Sequence, residues 1–433
     1  SGPRALAIAD GCFEAARDGA WRAQRMRRGW LIDPRSGERI DDALAVAFLA
    51  PHSYTGEDVV ELHVHGGAGV VNSCLLAALA CGARAPEAGE FTRRAFVNGR
   101  IDLAQAEAVA DLISAESRIA AKAAAVRLDG AVGRELRRSR DELLAALVEI
   151  EAHVDYPDEV DAPDGAAISR MLRAQRARIA ELLAGAGVAQ ALRDGVDCVI
   201  AGPPNAGKSS LLNALVEAER AIVSDIPGTT RDVIEDRVAV DGVVLRLRDT
   251  AGLRATSDVI EAQGVERARA ALARAELVLL VIDGSKPLGV DERAAIAATD
   301  GARRIVIANK EDLGDAGARE SRDLLRSEPA FVAGSVLDRA CVTRIRAEIA
   351  RAAWGGDAID ANAALVASRR QEQALARAAA SLEDAMRTID ERLPSDLLTA
   401  DLRAAVGAYG EVTGETVTAD VLDGIFSRFC VGK

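Results

Sequence analysis

The chain has 433 residues, a formal net charge of −13 and an aromatic content of only 3%. It is long enough for about two to four domains with cores of their own, and an apolar fraction built from Ala, Leu and Val favours helices. The acidic balance argues against a strong free-standing nucleic-acid binder. Because no long apolar run and no signal-peptide pattern are present, we expect a cytoplasmic protein that is neither membrane-inserted nor secreted.

The predicted elements divide the chain into four segments, which together give a multidomain α/β and α fold. Residues 1–95 contain short β-prone runs between turn residues and predict a small α+β domain. Residues 96–194 and 356–433 have apolar positions at helical spacing and predict two parts of one helical bundle. Residues 195–355 alternate strands and helices. Because the ends of a compact P-loop domain can lie close together, we predict a Ras-like G domain inserted into that bundle.

The first motif of the inserted segment is Gly-Pro-Pro-Asn-Ala-Gly-Lys-Ser at 202–209, between an apolar run and a leucine-rich helical stretch. This strand, loop and helix setting is typical of a phosphate-binding loop, whose glycines let backbone N–H groups approach the phosphates. Lys208 would reach the β- and γ-phosphates, and the hydroxyl of Ser209 would bind Mg²⁺. Thr230 is a second candidate Mg²⁺ ligand.

The second motif, Asp-Thr-Ala-Gly at 249–252, follows another apolar run. Asp249 would hold Mg²⁺ through water, and Gly252 would donate its N–H to the γ-phosphate, which makes the following segment a switch. The next residue is Leu253, where a glutamine commonly orients the attacking water. Glu261 is a candidate replacement; alternatively, it is an exposed carboxylate at the start of a helix.

The third motif, Asn-Lys-Glu-Asp at 309–312, selects the base. The carboxylate of Asp312 can accept both N–H groups on the pyrimidine edge of guanine, a pair that adenine lacks. Asn309 and Lys310 would support it, and Ser335 would add a contact on the base side. A P-loop alone leaves an ATPase or a chance match open, whereas the ordered set predicts a GTPase.

Three other features have simpler interpretations. Six cysteines without CxxC spacing predict reduced thiols, with neither a zinc site nor a disulfide framework. Basic runs at 22–28 and 134–140 leave local nucleic-acid contact open, although we interpret them first as solvated helix faces. His63 and His65 lack a nearby third ligand, so a structural turn is favoured over a metal pair.

Several motifs spread over the whole chain form a characteristic set. They are the runs at 53–58, 65–67, 89–96, 102–108 and 205–213, and the terminal Phe-Cys-Val-Gly-Lys at 429–433. Together they resemble the MnmE (TrmE) family of tRNA-modification GTPases. The terminal motif, combined with a G domain of this kind, is the most specific part of the resemblance.

The resemblance implies a specific reaction and specific partners. With the flavoprotein MnmG, which carries FAD, a homodimer of the chain would form a heterotetramer. This complex would add a carboxymethylaminomethyl or aminomethyl group to carbon 5 of the wobble uridine of tRNA. A 5-formyl or 5,10-methylene tetrahydrofolate would supply the one-carbon unit, bound by Glu61, Arg100 and Lys433. Cys430 would act in tRNA modification but not in GTP hydrolysis.

The resemblance also completes the predicted GTPase site. It implies that K⁺, held near Asn205, Ser224, Ile226 and Thr229, supplies the charge of an arginine finger when two G domains meet. It gives Glu261 the role of positioning the water. The predicted GTP-binding residues are Asn205, Ala206, Gly207, Lys208, Ser209, Ser210, Ser224, Asp225, Ile226, Pro227, Gly228, Thr229, Thr230, Asp249, Thr250, Ala251, Gly252, Asn309, Lys310, Asp312 and Ser335.

One departure from the family pattern and two rival functions remain open. The sequence begins at Ser1, after the position where the family completes its first strand, so we expect a truncated start that lacks an arginine of the folate site. A purely regulatory GTPase would share the nucleotide motifs without needing a folate pocket or Cys430. An RNA or ribosome assembly GTPase would bind RNA tightly without a flavoprotein, which the acidic balance disfavours.

Overall fold

The computed structural model describes residues 1–220, 237–247, 272–325, 330–354, 365–427, 429 and 431–432. Contacts between Cα atoms divide the chain into two units. The first unit comprises Ser1–Ile113, Ala125–Ala180 and Arg369–Lys433, and the second comprises Ser114–Ala124 and Glu181–Ser368. The second unit is thus inserted in the sequence of the first. The limits of the four predicted segments stay predictions, and residues 114–124 and 181–194 group with the second unit.

The first unit begins with an antiparallel sheet in the order β1-β2-β3-β4. The strands are β1 (Phe13–Ala15), β2 (Arg27–Ile32), β3 (Arg39–Phe48) and β4 (Val59–His63). Because side chains alternate between the two faces of a strand, Phe13, Leu31, Ala43 and Ala45 form one buried cluster. Three helices accompany this sheet in sequence: α1 (Ala5–Cys12), α2 (Ala68–Ala80) and α3 (Glu90–Val97). Their combination is the α+β segment that the sequence predicts.

Long helices form the rest of the first unit. They are α4 (Leu103–Ile113), α5 (Arg118–Leu128), α6 (Ala131–Asp155), α7 (Gly165–Ala184), α13 (Arg369–Asp390), α14 (Ser395–Thr413) and α15 (Ala419–Phe426), of which α5 and α7 also contribute residues to the second unit. Leu143 and Leu147 lie one turn apart on α6 and are buried, as the helical spacing predicts. None of the helices in the described residues is long and apolar enough to cross a lipid bilayer.

The second unit contains a six-stranded sheet in the order β10-β9-β8-β5-β7-β6. The strands are β5 (Val196–Ala201), β6 (Arg237–Val240), β7 (Val243–Leu247), β8 (Leu277–Asp283), β9 (Arg304–Asn309) and β10 (Phe331–Ala333). All neighbours are parallel except β6 and β7. The continuous burial of β8 and β9 is typical of a parallel sheet covered on both faces.

In the described ranges, helices precede, separate and follow the strands of this sheet along the chain. They are α8 (Ala186–Asp194), α9 (Lys208–Arg220), α10 (Val290–Ala298), α11 (Ala316–Leu324) and α12 (Arg339–Trp354). Two separate apolar clusters share the strand side chains, one around Leu211 and Ile345 and the other around Ile296 and Ala318. The carboxyl ends of β5, β8 and β9 lie at the same edge, which is where open α/β sheets bind ligands.

Candidate functional site

The loop between β5 and α9 has a backbone that only glycine allows at two positions. Gly202 and Gly207 have φ angles of +138° and +107°, which L side chains rarely adopt. A Cβ atom at Gly202 would lie 1.9 Å from the carbonyl oxygen of Val281, and one at Gly207 would lie 2.1 Å from Nδ2 of Asn309. The loop therefore lies directly against the ends of β8 and β9, and its shape depends on both glycines.

Lys208 is the first residue of α9, at the end of that loop. Its Nζ donates hydrogen bonds to the carbonyl oxygens of Gly202 and Pro203, both at 2.8 Å. Burial lowers the pKa of Lys208 from its ordinary value. The ammonium group is thus held over the loop by two neutral acceptors, which an anionic phosphate oxygen could replace. Ser209 and Ser210 follow in the first turn, where the N-terminus of a helix favours negative charge.

Asn309 joins two loops at the end of β9. Its Nδ2 donates to the carbonyl oxygen of Ala206 at 2.9 Å, and its Oδ1 accepts a hydrogen bond from the backbone N–H of Val336 at 3.0 Å. The residue is 2% exposed. Its side chain therefore fixes the phosphate-binding loop relative to the loop that carries Ser335, rather than being free to meet a ligand.

Asp283, at the end of β8, was missed by the sequence analysis. Nζ of Lys310 lies 2.8 Å from its Oδ2, and the hydroxyl and backbone N–H of Ser285 donate to its Oδ1. Burial raises the pKa of Asp283, but the hydrogen bonds from Lys310 and Ser285 outweigh it and hold the pKa below its ordinary value. An acid at the carboxyl end of a buried parallel strand was the signal that could have identified it.

Asp312 and Ser335 line a cavity of about 630 Å³, a volume in the range of small-molecule sites. The two apolar residues Leu313 and Leu337 also line it, and they are 74% and 84% exposed. The complete lining is Pro204, Asn205, Gly207, Lys208, Ser209, Ser210, Asn309, Lys310, Asp312, Leu313, Ser335, Val336 and Leu337. One cavity thus contains residues of both the first and the third predicted motif.

Part of the predicted site lies outside the described residues. This part comprises Ser224, Asp225, Ile226, Pro227, Gly228, Thr229, Thr230, Asp249, Thr250, Ala251, Gly252 and Glu261, together with Cys430 and Lys433. Of the predicted ligands, Ser209 for Mg²⁺ and Asn205 for K⁺ are described, and both line the cavity. Within the described ranges, no three His, Cys, Asp or Glu side chains converge in a way that could hold a metal ion.

Two of the predicted folate residues, Glu61 and Arg100, lie in the described part of the first unit. Glu61 lies on β4 and pairs with His63, whose Nε2 is 3.3 Å from its carboxylate. Arg100 donates from Nε to the carbonyl oxygen of Ser53 at 3.1 Å. His65 hydrogen-bonds to Asp41 through both its backbone N–H and Nδ1, at 2.8 Å each, which agrees with the structural turn. Glu61 and Arg100 thus have different partners among the described residues, and the folate site stays a prediction.

Phe429 and Val431 hold the terminal motif in place in the first unit. Phe429 is buried, and its ring centroid is 5.5 Å from that of Phe426. Val431 forms an antiparallel bridge with Ala88. Cys430 lies between these two anchored residues in the sequence, so the chain on either side of it is fixed against the segment before α3.

A charged network lies directly after Ala88. The carboxylate of Glu90 accepts hydrogen bonds from Arg84 and Arg94, and Arg94 also lies 2.9 Å from Glu57. The hydrogen bond from Arg84 lowers the pKa of Glu90 to about 2, and Arg94 acts in the same direction against the effect of burial. Every guanidinium of this network is already matched by a carboxylate, so the network is a structural support.

Comparison with known proteins gives matches over the whole chain. The family model for the MnmE helical domain matches residues 103–430, and the one for the GTP-binding protein TrmE N-terminus matches residues 1–100. Proteins named tRNA modification GTPase MnmE are 42% identical in Synechococcus elongatus and 45% identical in Symbiobacterium thermophilum and Chloroflexus aurantiacus. Each alignment covers 100% of this chain and 94% or 95% of the relative.

Similarity to solved structures is more local. Era in complex with MgGDPNP and a 16S ribosomal RNA fragment is 24% identical over 43% of this chain and 66% of that chain, with a TM-score of 0.29. The sheet order and the loop geometry of the second unit therefore have to be judged from the chain's own structure.

Proposed function

The chain belongs to the MnmE family of tRNA modification GTPases, and from that premise we propose that it modifies the wobble uridine of tRNA together with the flavoprotein MnmG. As a member of this family it is a GTP hydrolase that acts in tRNA modification. The observation that carries the proposal is the single cavity in which the phosphate-binding loop, Lys208 and Asp312 come together. The proposal further specifies MnmG as the partner, the modified wobble uridine as the product and a tetrahydrofolate derivative as the one-carbon donor.

We propose that Asp312 reads guanine. Asp312 lines the same cavity as the phosphate-binding loop, and its carboxylate can accept two N–H groups from one planar edge. Leu313 and Leu337 offer exposed apolar side chains that a purine ring would cover. Ser335 would add a contact on the base side. Asn309 acts indirectly, because both ends of its amide are already bonded to protein.

The phosphates would be bound by the loop 202–207 and by Lys208. The ammonium group would exchange two carbonyl oxygens for anionic oxygens, which form stronger hydrogen bonds. Ser209 and Thr230 would hold Mg²⁺, which neutralises phosphate charge when bound. Asp249 would contribute through water. Of these three residues, the structure describes Ser209. It lies beside Lys208 at the start of α9, which fits a role in binding Mg²⁺.

Hydrolysis needs a group to orient water and a positive charge, and we propose Glu261 and K⁺ for these tasks. Leu253 cannot orient water, because its side chain has neither a donor nor an acceptor. K⁺ would be held by Asn205, Ser224, Ile226 and Thr229. Asn205 has a φ angle of +61° and lines the cavity, so its position in the loop is well defined.

For the modification step we propose the terminal motif and the folate residues of the first unit. Glu61, Arg100 and Lys433 would bind the tetrahydrofolate derivative, and Cys430 would act on the uridine as a nucleophile or proton carrier. The contacts of Phe429 with Phe426 and of Val431 with Ala88 support a role for the terminal motif in the first unit. A homodimer joined to MnmG, which carries FAD, would be the working form in the cytoplasm.

The test measures GTP hydrolysis by the full chain in K⁺ and in Na⁺ at equal ionic strength, with Glu261→Ala beside it. We expect faster hydrolysis in K⁺ and a loss of about 10²-fold in the variant, as for removal of a group that directs a proton or a water. Glu217→Ala, an exposed glutamate of α9, is the matched control and should hydrolyse GTP normally. Equal rates in both salts, or an active Glu261→Ala, would contradict the proposed K⁺ and Glu261 roles.

A second readout in the same preparation separates modification from switching. With MnmG and tRNA present, Cys430→Ser should retain GTP hydrolysis and lose the modified uridine. If the modified uridine still forms in this variant, the chemical role of Cys430 is wrong and a regulatory GTPase becomes the better description.

A further inference from the structure

The segment that links β1 to β2 is rich in arginine, and we call residues 16–28 the basic arm. It contains five arginines and a single acid, Asp18, in a chain whose net charge is −13. A hydrogen bond of 2.9 Å from the backbone N–H of Ala16 to the carbonyl oxygen of Arg28 joins the two ends of the arm. The backbone N–H of Gln24 donates to the carbonyl oxygen of Ala47 on β3 at 2.7 Å. The arm is therefore held against the sheet rather than hanging free.

A tight turn at the middle of the arm brings two arginines together. The backbone N–H of Arg25 donates to the carbonyl oxygen of Arg22 at 3.3 Å, and Gln24 takes a left-handed conformation with a φ angle of +58°. The Cα atoms at the two ends of such a turn lie within about 7 Å of each other. Arg22 and Arg25 are both exposed, so the turn presents two positive charges at one place on the surface.

Neither of these two charges is neutralised by the protein. Among the described residues, the guanidinium groups of Arg22 and Arg25 have no hydrogen bond and no ion pair. Nearby, Arg28 pairs with Asp42 at 2.6 Å, and Arg27 lies 4.7 Å from the centroid of the Trp21 ring. The indole N–H of Trp21 donates to Asp10. Arg22 and Arg25 therefore present two unmatched positive charges at the turn of the arm.

The second basic run of the sequence, at 134–140, has a different environment. Arg134 pairs with Asp129 at 2.9 Å and Arg137 with Asp102 at 3.1 Å. Arg140 lies 2.7 Å from Glu415. Most of this run is therefore already paired on the surface of α6. The interpretation as a helix face is wrong for 22–28, which lie in a turn and the start of β2. The structure separates two runs that the sequence alone left equivalent.

We propose that the basic arm is a contact surface for the phosphate backbone of RNA, and this inference rests on the proposed function, in which tRNA is the substrate. Arginine binds phosphate through a planar, bidentate set of donors, which suits a polyanionic backbone. Contacts to phosphate position a nucleic acid without reading its sequence. The arm therefore adds affinity and orientation for tRNA in general, and the choice among tRNAs is made elsewhere.

The test measures binding of a fluorescently labelled tRNA transcript to the full chain over a range of salt concentrations. The test variant is Arg22→Ala combined with Arg25→Ala. The control combines Arg134→Ala with Arg403→Ala, which removes the same charge from exposed arginines that are paired with Asp129 and Glu151. Each lost phosphate contact lowers the slope of log K against log salt by about 0.7 to 0.9. We expect the arm variant to bind at least about tenfold more weakly at 0.1 M salt with a shallower slope, and the control to bind nearly as the unaltered chain does.

Other results of these binding measurements would contradict the proposal in different ways. Normal tRNA binding by the arm variant, or an equal loss in the control, would remove the RNA assignment and leave only an effect of overall charge. Normal tRNA binding with weakened binding to MnmG would assign the arm to a protein interface instead. No tRNA binding by the unaltered chain would overturn the arm assignment, and no tRNA binding by its complex with MnmG would overturn the tRNA part of the proposed function as well. GTP hydrolysis and thermal unfolding, which should not change in either variant, show that each protein is folded.

Discussion

The nucleotide cavity of the second unit and the charged network of the first unit are held in place by different forces. In the cavity, two glycines leave no room for a Cβ atom, and one amide, Asn309, ties two loops through neutral hydrogen bonds. In the first unit, Glu90 is held between Arg84 and Arg94 by ion pairs. Neutral, buried contacts are insensitive to salt and pH, whereas exposed ion pairs depend on both. The difference predicts distinct responses to substitution.

The largest effect is expected for Asn309→Ala. The substitution leaves the carbonyl oxygen of Ala206 and the N–H of Val336 without their partner in a buried place, which costs about 1 to 3 kcal/mol for each group. We expect GTP affinity to fall by about 10²-fold, measured by equilibrium titration with a fluorescent nucleotide.

Asn98→Ala is the matched control in the first unit. Its Nδ2 donates to the carbonyl oxygen of Thr55 at 2.7 Å, so the variant loses a similar hydrogen bond far away in sequence. It should bind GTP normally. If Asn309→Ala also bound GTP normally, the two loops would be positioned by other contacts and the first half of the comparison would be wrong.

An intermediate effect is expected for Arg370→Ala. Arg370 binds the carboxylate of Glu107 with two hydrogen bonds and joins α13 to α4, although about 260 residues separate them. Both side chains are largely buried; Glu107 keeps the hydrogen bond from Gln371 but loses both hydrogen bonds from Arg370, which should cost about 2 kcal/mol of unfolding free energy. Thermal or urea unfolding measures this loss.

Arg377→Ala provides the comparison for that variant, because its pair with Glu411 is exposed on both sides. We expect it to change the unfolding free energy by less than about 1 kcal/mol. Equal losses in the two variants would mean that burial of the Arg370 pair does not set its contribution.

The smallest effect is expected for Glu90→Gln, and it depends on pH. The pKa of Glu90 is lowered to about 2 in the folded chain, so its ion pairs stabilise the fold above the ordinary carboxyl pKa. This contribution is lost as the pH falls toward 2. Because Arg84 is mostly exposed, we expect only about 1 kcal/mol.

Thermal unfolding at pH 7 and pH 3 checks this expectation. Glu90→Gln should be less stable than the unaltered chain at pH 7, and the gap should shrink at pH 3. Glu87→Gln, a neighbouring exposed glutamate, should show no such change. A gap that persists at low pH would indicate that Glu90 acts through packing rather than charge.

The parts of the molecule that could be predicted from the sequence are those in which a short run of residues determines both the backbone conformation and the functional groups. The loop around Gly207, the strand Leu277–Asp283 and the insertion of one unit into the other belong to this group. Asn309 was predicted only to support Asp312, and the structure adds that its amide joins two loops. A motif gives a residue type and a spacing but does not show which atoms face each other.

Contacts between distant segments could not be predicted, because nothing in a single sequence indicates which two distant residues will contact each other. The bridge between Ala88 and Val431 and the pair of Arg370 with Glu107 are of this kind. The bond of Arg100 to the carbonyl oxygen of Ser53, 47 residues away, is of the same kind. The two basic runs were also equivalent until the acids around each were known.

The bridge between Ala88 and Val431 can form only late in the synthesis of the chain, because its two residues are far apart in the sequence. Ribosomes add about 5 to 20 residues per second, so Ala88 is made roughly tens of seconds before its partner. The second unit has all its residues once Ser368 has been added. We therefore expect a ribosome-bound chain to pass through a stage with a finished nucleotide cavity and an unfinished first unit. Only a chain translated to its last residues acquires the anchored end that flanks Cys430.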